Sequence, residues 1–172
     1  MALQLLLGGA RSGKSSLAVR RAQRFGGPVV FIATAEACDD DMAERIARHR
    51  AERPEHWTTV EAPRDLAGAL RAVPADACAI VDCLALWTAN LLDHGEAEIV
   101  ARARDAATVA AGRPALTIVV GNEVGMGVVP ATELGRRYRD ALGRVNAAWA
   151  DLADDVALVV AGRVLNLERP DA

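Results

Sequence analysis

The run Leu3-Gln4-Leu5-Leu6-Leu7-Gly8-Gly9-Ala10-Arg11-Ser12-Gly13-Lys14-Ser15 decides the fold of this chain. Leu3 to Leu7 is an apolar segment of strand length. Gly8 to Ser15 then spells GxxxxGK[ST], and Ser16 to Phe25 continues with helical spacing. Strand, glycine loop and helix in that order are the setting a phosphate-binding loop requires. Glycines at 8, 9 and 13 let the backbone turn its N–H groups inward around an anion, and the following helix adds the positive end of its dipole. Lys14 is expected to reach the β and γ phosphates of a nucleotide, and the Ser15 hydroxyl to ligate Mg²⁺.

Composition singles out the same loop. Of 20 basic residues, the only lysine is Lys14. A compact ammonium on a flexible stem can follow a phosphate during transfer, whereas a planar guanidinium is too bulky for a tight glycine loop. At 172 residues, 52% of them hydrophobic and only 3% aromatic, the chain has the length for one core and the aliphatic bias of a buried parallel sheet. A single domain over residues 1–172 is expected. The net charge of -3 gives no overall electrostatic reason to bind nucleic acid or an anionic membrane. Cys38, Cys78 and Cys83 are odd in number and lack metal-ligand spacing, as expected of reduced thiols in a cytoplasmic protein. Met1 to Gly9 carries no basic leader, and no apolar run approaches the ~20 residues of a membrane span.

Outward from the loop, short aliphatic strands alternate with helices. Strands are predicted at Val29–Ala33, Trp57–Val60, Cys78–Val81, Leu116–Val120 and Val156–Val160. Helices are predicted at Met42–Arg53, which Asp39 to Asp41 start and Pro54 ends, and at Pro63–Val73, Ala85–Leu92, Glu96–Ala111 and Ala131–Leu152. Such alternation implies an α/β fold, a mainly parallel sheet with helices on both faces, and with the glycine loop the expected class is a P-loop NTPase (RecA-like) fold.

In open α/β sheets ligands bind at the carboxyl ends of the strands, which should gather Thr34, Glu61, Asp82, Asn122 and Glu123. A phosphate-loop site also needs a carboxylate at a strand end to hold magnesium through water. Asp82, after Ala79-Ile80-Val81, is the first candidate and Glu61 the second. The loop Gly121-Asn122-Glu123-Val124-Gly125-Met126-Gly127-Val128-Val129-Pro130 follows a strand at the same edge, and its glycines suit a tightly turned substrate loop.

On the Met42–Arg53 helix, Met42, Ile46 and His49 share one apolar face, with Arg45, Arg48, Arg50 and Arg53 around them. A histidine so placed is either a packed core residue or a nucleophile. In the second role a neutral imidazole attacks a nucleotide α-phosphate and forms a phosphoramidate, with guanidinium groups holding the developing charge.

Taken in order, GGARSGKS at 8–15, Arg45-Ile46 with His49, Arg53-Pro54 with Trp57, and Glu61 resemble the bifunctional adenosylcobinamide kinase/adenosylcobinamide-phosphate guanylyltransferase family of cobalamin biosynthesis. The similarity continues through Asp82-Cys83-Leu84 with Trp87 and Asn90-Leu91, NEVGMGVVP at 122–130, Arg139-Asp140, and Gly143-Arg144-Val145-Asn146. It ends near Leu158-Val159-Val160-Ala161-Gly162 and covers almost the whole chain.

The resemblance implies two reactions. Adenosylcobinamide is phosphorylated by ATP or GTP. GMP is then transferred from GTP through a guanylylated histidine, which releases pyrophosphate and leaves adenosylcobinamide-GDP. It also implies that His49 and Lys14 are catalytic, with Mg²⁺ at Ser15 and Asp82. Nucleotide contacts fall on Gly8, Gly9, Ala10, Arg11, Ser12, Gly13, Lys14 and Ser15, on Ala33, Thr34 and Ala35, on Arg50, Ala51, Glu52 and Arg53, and on Glu61 and Asp82. Members resemble one another in forming trimers with nucleotide near subunit contacts, so a homotrimer is expected. Two departures stand out: Arg48 precedes His49 where some relatives have a second histidine, and the tail Arg163 to Glu168 differs from the ending expected.

Two rivals fit the loop as well. One is a kinase moving only the γ-phosphate, with Arg136, Arg137, Arg139 and Arg144 as a clamp and His49 structural. The other is a nucleotide-driven switch or assembly ATPase, against which the absence of an NKxD sequence counts.

Overall fold

The computed structural model describes residues 3–36, 50 and 53–169. Among these residues seven strands form one sheet: β1 (Leu3–Gly8), β2 (Val29–Ala33), β3 (Thr58–Glu61), β4 (Cys78–Asp82), β5 (Thr117–Asn122), β6 (Asp155–Val160) and β7 (Arg163–Leu167). Their order is β3-β2-β4-β5-β1-β6-β7. All pairings are parallel except β6 with β7. The described helices are α1 (Lys14–Gln23), α2 (Leu66–Ala72), α3 (Leu84–Asn90), α4 (Glu96–Ala111) and α5 (Glu133–Ala150).

Sequence dictates the layers. β4 and β5 read CAIVD and TIVVGN, with consecutive residues buried, as expected of central parallel strands covered on both faces. On β1 the two faces part. Arg21 of α1 donates to the Gln4 side chain at 2.9 Å, placing α1 on the Gln4 face. Leu7 points the other way, toward Gly121 and the Asn146 side chain of α5. On that second side α5 packs on α4 and α3, and α4 on α2. Trp87, Trp149 and Ile80 are among the largest fully buried side chains in the core.

The expected fold is therefore the observed one, with element ends shifted. The helix after the glycine loop begins at Lys14 rather than Ser16. The Pro63–Val73 helix shortens to Leu66–Ala72 because the Asp65 carboxylate accepts the Gly68 N–H at 2.9 Å and fixes the start. The Ala131–Leu152 helix starts at Glu133, where Thr132 caps Gly135. β7 has no counterpart among the predicted elements. Its residues are all exposed, so no buried periodicity announced it. The Met42–Arg53 helix lies outside the described residues, apart from Arg50 and Arg53.

Candidate active site

The phosphate loop leaves β1 at Gly8 and enters α1 at Lys14. Gly13 has φ 95, the left-handed region that favours glycine, and serves as the helix N-cap without a side chain to occupy the cap. No acidic residue sits in the first turn of α1 and no side chain caps it, the setting in which a helix N-terminus favours an anion. Gly8 is constrained from below, because a Cβ there would stand 2.5 Å from the Val159 carbonyl and 2.6 Å from the Ser12 hydroxyl. The loop is braced on two sides: Glu123 donates its N–H to Gly8 O at 3.1 Å, and Gly162, in the β6–β7 turn, donates to Ser12 O at 2.8 Å.

Lys14 is only 7% exposed, and its Nζ donates to Gly9 O at 2.9 Å. An ammonium anchored on the loop backbone is poised at the position where bound phosphates would lie. Ser15 starts α1 beside it and lines a pocket of about 230 Å³ with Ser16, Val19, Arg20, Phe31, Arg53 and Asp82. Arg53 stacks its guanidinium 3.4 Å above the Phe31 ring, which leaves a planar cation held at the pocket wall. The structure thus brings together Ser15, Asp82 and Arg53 from three separate stretches of sequence. It adds Ser16 and Arg20, which sequence reasoning passed over. Their signal was present, since Ser16 and Arg20 are one helical turn apart on the helix that carries Lys14.

Strand order distinguishes the two carboxylates. Asp82 ends β4, and Glu61 ends β3 level with Ala33. One strand separates β1 from β4 and three separate it from β3, so their strands stand roughly 10 Å and 19 Å from β1. Asp82 is half-buried and lines the Ser15 pocket, whereas Glu61 is exposed at the far edge. A hydroxyl and a carboxylate in one pocket are the hard oxygen donors that suit Mg²⁺, which keeps several waters and shares substrate phosphates. Among the described residues no group of three or more histidine, cysteine or acidic side chains is placed to hold a metal ion by itself.

Thr34 is fully buried, and its hydroxyl accepts from Cys83 N–H and donates to Cys83 O, both at 2.7 Å. Asn90 donates to Thr34 O at 2.8 Å and to Pro63 O at 3.0 Å. Thr34 is thus the buckle that ties the ends of β2 and β4, with Ala33 and Ala35 half-buried beside it. The Cys83 thiol next to Asp82 is pushed up to about 11, first by burial and then by the Asp82 charge. Ala10 and Arg11 are exposed on the rim of the loop, as is Arg50 beyond β2. His49, Ala51 and Glu52 lie outside the described residues.

The four arginines of the alternative clamp are engaged with neighbouring groups of the chain. Arg136 donates to the Pro130 and Ala131 carbonyls, Arg137 to Leu92 O, Arg139 pairs with Asp140, and Arg144 pairs with Glu96 at 2.8 Å. These contacts place the arginines along the surface of α5 and its neighbours. Asn122 and Glu123 do reach the phosphate-loop edge, where Gly8 and Asn122 are register partners.

Known proteins resemble this chain along nearly its whole length. Residues 4–167 match the family described as cobinamide kinase / cobinamide phosphate guanyltransferase. The chain is 47% identical over 166 residues to the bifunctional adenosylcobalamin biosynthesis protein CobP of Pseudomonas aeruginosa, covering 95% of this chain and 96% of that one. It is 39% identical to the bifunctional adenosylcobalamin biosynthesis protein CobU of Escherichia coli, and 40% to that of Salmonella typhimurium, covering 92% of this chain and 95% of theirs in each case. Among solved structures, an ATPase domain superposes with a TM-score of 0.51 over 91% of this chain and 68% of that one. At 12% identity that likeness speaks for the fold, a P-loop ATPase architecture.

Proposed function

This chain belongs to the cobinamide kinase / cobinamide phosphate guanyltransferase family, and from that premise we propose how its residues divide the two reactions. The enzyme phosphorylates cobinamide and transfers a guanylyl group to cobinamide phosphate. The single observation that carries the site assignment is the grouping of Ser15, Arg53 and Asp82 in one pocket beside the buried Lys14.

In the first reaction the corrinoid hydroxyl oxygen attacks the γ-phosphorus of ATP or GTP. The bond to the β–γ bridging oxygen breaks, the nucleoside diphosphate leaves, and the hydroxyl proton passes to solvent. Lys14 and the N–H groups of Gly8 to Ser15 hold the phosphates, and Arg53 at the pocket wall balances charge on the transferring group. Ser15 and Asp82 would hold Mg²⁺, which offsets phosphate charge when bound. In the second reaction a neutral His49 imidazole attacks the α-phosphorus of GTP and pyrophosphate leaves. The phosphate of cobinamide phosphate then displaces the histidine and carries off GMP. His49 is supported by the resemblance of the Arg45 to Trp57 segment to the family, and nucleotide contacts at Ala33 to Ala35, Arg50 to Arg53 and Glu61 rest on the same support.

A single domain, a homotrimer and a cytoplasmic setting belong to the same proposal. No described helix is long and apolar enough to cross a membrane. The test follows two labels through cobinamide, ATP and GTP. Label from γ-ATP should appear on cobinamide phosphate, and label from α-GTP on the nucleotide-linked product. Label from the γ position alone would leave only the kinase, and phosphate release without a labelled corrinoid would remove both.

A further inference from the structure

On the sheet face opposite α1, an open groove of about 1390 Å³ runs between α5 and the β6–β7 hairpin. Leu7 and Glu123 line it, so one end opens at the phosphate loop, where Glu123 N–H is bonded to Gly8 O. Three features of the groove are independent of the phosphate chemistry. Gly143, Ala147 and Ala150 line its α5 wall at helical spacing. Glycine inside a helix is destabilising relative to alanine, yet a Cβ on Gly143 would meet nothing within 4 Å, so packing within the chain does not demand it. Its effect is to keep the groove wide.

The second feature is Asn146, which is 6% exposed and also lines the groove. Its Nδ2 donates to Asn122 O at 3.0 Å, but its buried Oδ1 has no hydrogen-bond partner among the described residues. An unpaired buried acceptor of this kind is costly and uncommon. The third feature is charge. Glu123, Asp151, Asp154, Asp155 and Glu168 line the groove, and among the described residues lining it the one guanidinium is that of Arg169.

We propose that this groove seats the corrinoid, with the ring against the Gly143–Ala147–Ala150 wall and the hydroxyl arm passing Glu123 toward the phosphate loop. The inference rests on the family reading above. A cobalt corrin is a large, cationic ring fringed with carboxamides. Its charge complements the carboxylates, and its carboxamides can hydrogen-bond along the polar part of the wall.

The test is equilibrium dialysis of the full chain against cobinamide alone, followed by the visible absorbance of the ring. Ala147→Trp fills the groove from an exposed position, and Gly143→Leu does so from a second, open one. Either substitution should weaken cobinamide binding by on the order of tenfold or more, while covalent labelling of the protein by α-labelled GTP, which needs no corrinoid, stays at the wild-type level. Unchanged cobinamide binding in both folded variants overturns the proposal. A changed oligomeric state on gel filtration also overturns it, by making the groove a contact between copies. Wild type that binds no cobinamide at all would instead sink the family reading on which the inference rests.

Discussion

Replacing Lys14 by methionine separates the catalytic from the structural reading of the phosphate loop. Methionine keeps most of the stem and removes the charge. In the structure the ammonium is nearly excluded from water and anchored to Gly9 O at 2.9 Å, so bulk solvent does little to weaken its pull on an incoming phosphate. One preorganised donor aimed at developing charge in such a site contributes about 2.7–4 kcal/mol, or 10²–10³ in rate. A full charge belongs at the upper end, so both the kinase and the guanylyltransferase kcat/KM should fall by about 10³ or more. Stability should move far less. Gly9 is exposed, so its carbonyl regains a water when the ammonium goes, and the desolvation cost of the buried charge disappears with it. The net change should lie within about 1 kcal/mol, or roughly 2–4 °C in Tm for a chain of this size. Lys14→Arg should be nearly as inactive, because the planar head does not fit the loop. Steady-state assays of both steps, run beside thermal unfolding, check the pattern. A Lys14→Met enzyme within about threefold of wild type in either step would refute the argument for that step.

Other outcomes follow from the same geometry. Asp82→Asn should fold normally and need much higher Mg²⁺ for activity, since the amide keeps shape and loses charge; an unchanged magnesium titration would move the carboxylate role elsewhere. Arg113 is 7% exposed and donates to the Val73, Pro74 and Ala77 carbonyls at 2.6 to 3.1 Å, so Arg113→Met strands these acceptors at about 1–3 kcal/mol each and should destabilise by several kcal/mol with kcat little altered at permissive temperature. A Tm within about 2 °C of wild type would contradict that. Burial pushes the Cys78 thiol up to about 12, and burial with the Asp82 charge holds Cys83 near 11, so neither should react with a thiol reagent in native protein at pH 8. Unfolded thiols ionise from a reference value of 9.0 while the folded ones keep their protons, so these two cysteines should make stability fall as pH rises through 9. Stability flat through that range would contradict the assignment.

Much of this was legible in the sequence because the signals were local. GGARSGKS names its own backbone geometry, and runs such as Cys78 to Val81 are buried on both faces, so strand identity and mainly parallel pairing could be read without coordinates. The end of β4 was legible too, which is why Asp82 could be named. What was not legible depended on partners distant in sequence. Strand order puts Glu61 farther from β1 than Asp82, and nothing in either segment says so. Arg53 enters the pocket by stacking on Phe31, a pairing that no spacing rule encodes. β7 is exposed throughout and held by pairing to β6, so the tail stood out only as a departure and not as a strand, although Gly162, at its turn, braces Ser12. The apolar NEVGMGVVP loop was recognisable as unusual, yet only coordinates show Met126 and Val128 out in solvent while Glu123 grips Gly8.

The most direct measurement is the intact mass of the protein after incubation with GTP and Mg²⁺, without corrinoid, for wild type and His49→Asn. Wild type should gain one GMP per chain through a bond labile in acid and stable in alkali, as expected of a phosphoramidate whose nitrogen leaves well once protonated. His49→Asn should stay unmodified, remain folded, and still phosphorylate cobinamide, because that hydroxyl attacks the γ-phosphate without an enzyme nucleophile. A GMP adduct persisting on folded His49→Asn, or no adduct on active wild type, would contradict the covalent histidine mechanism.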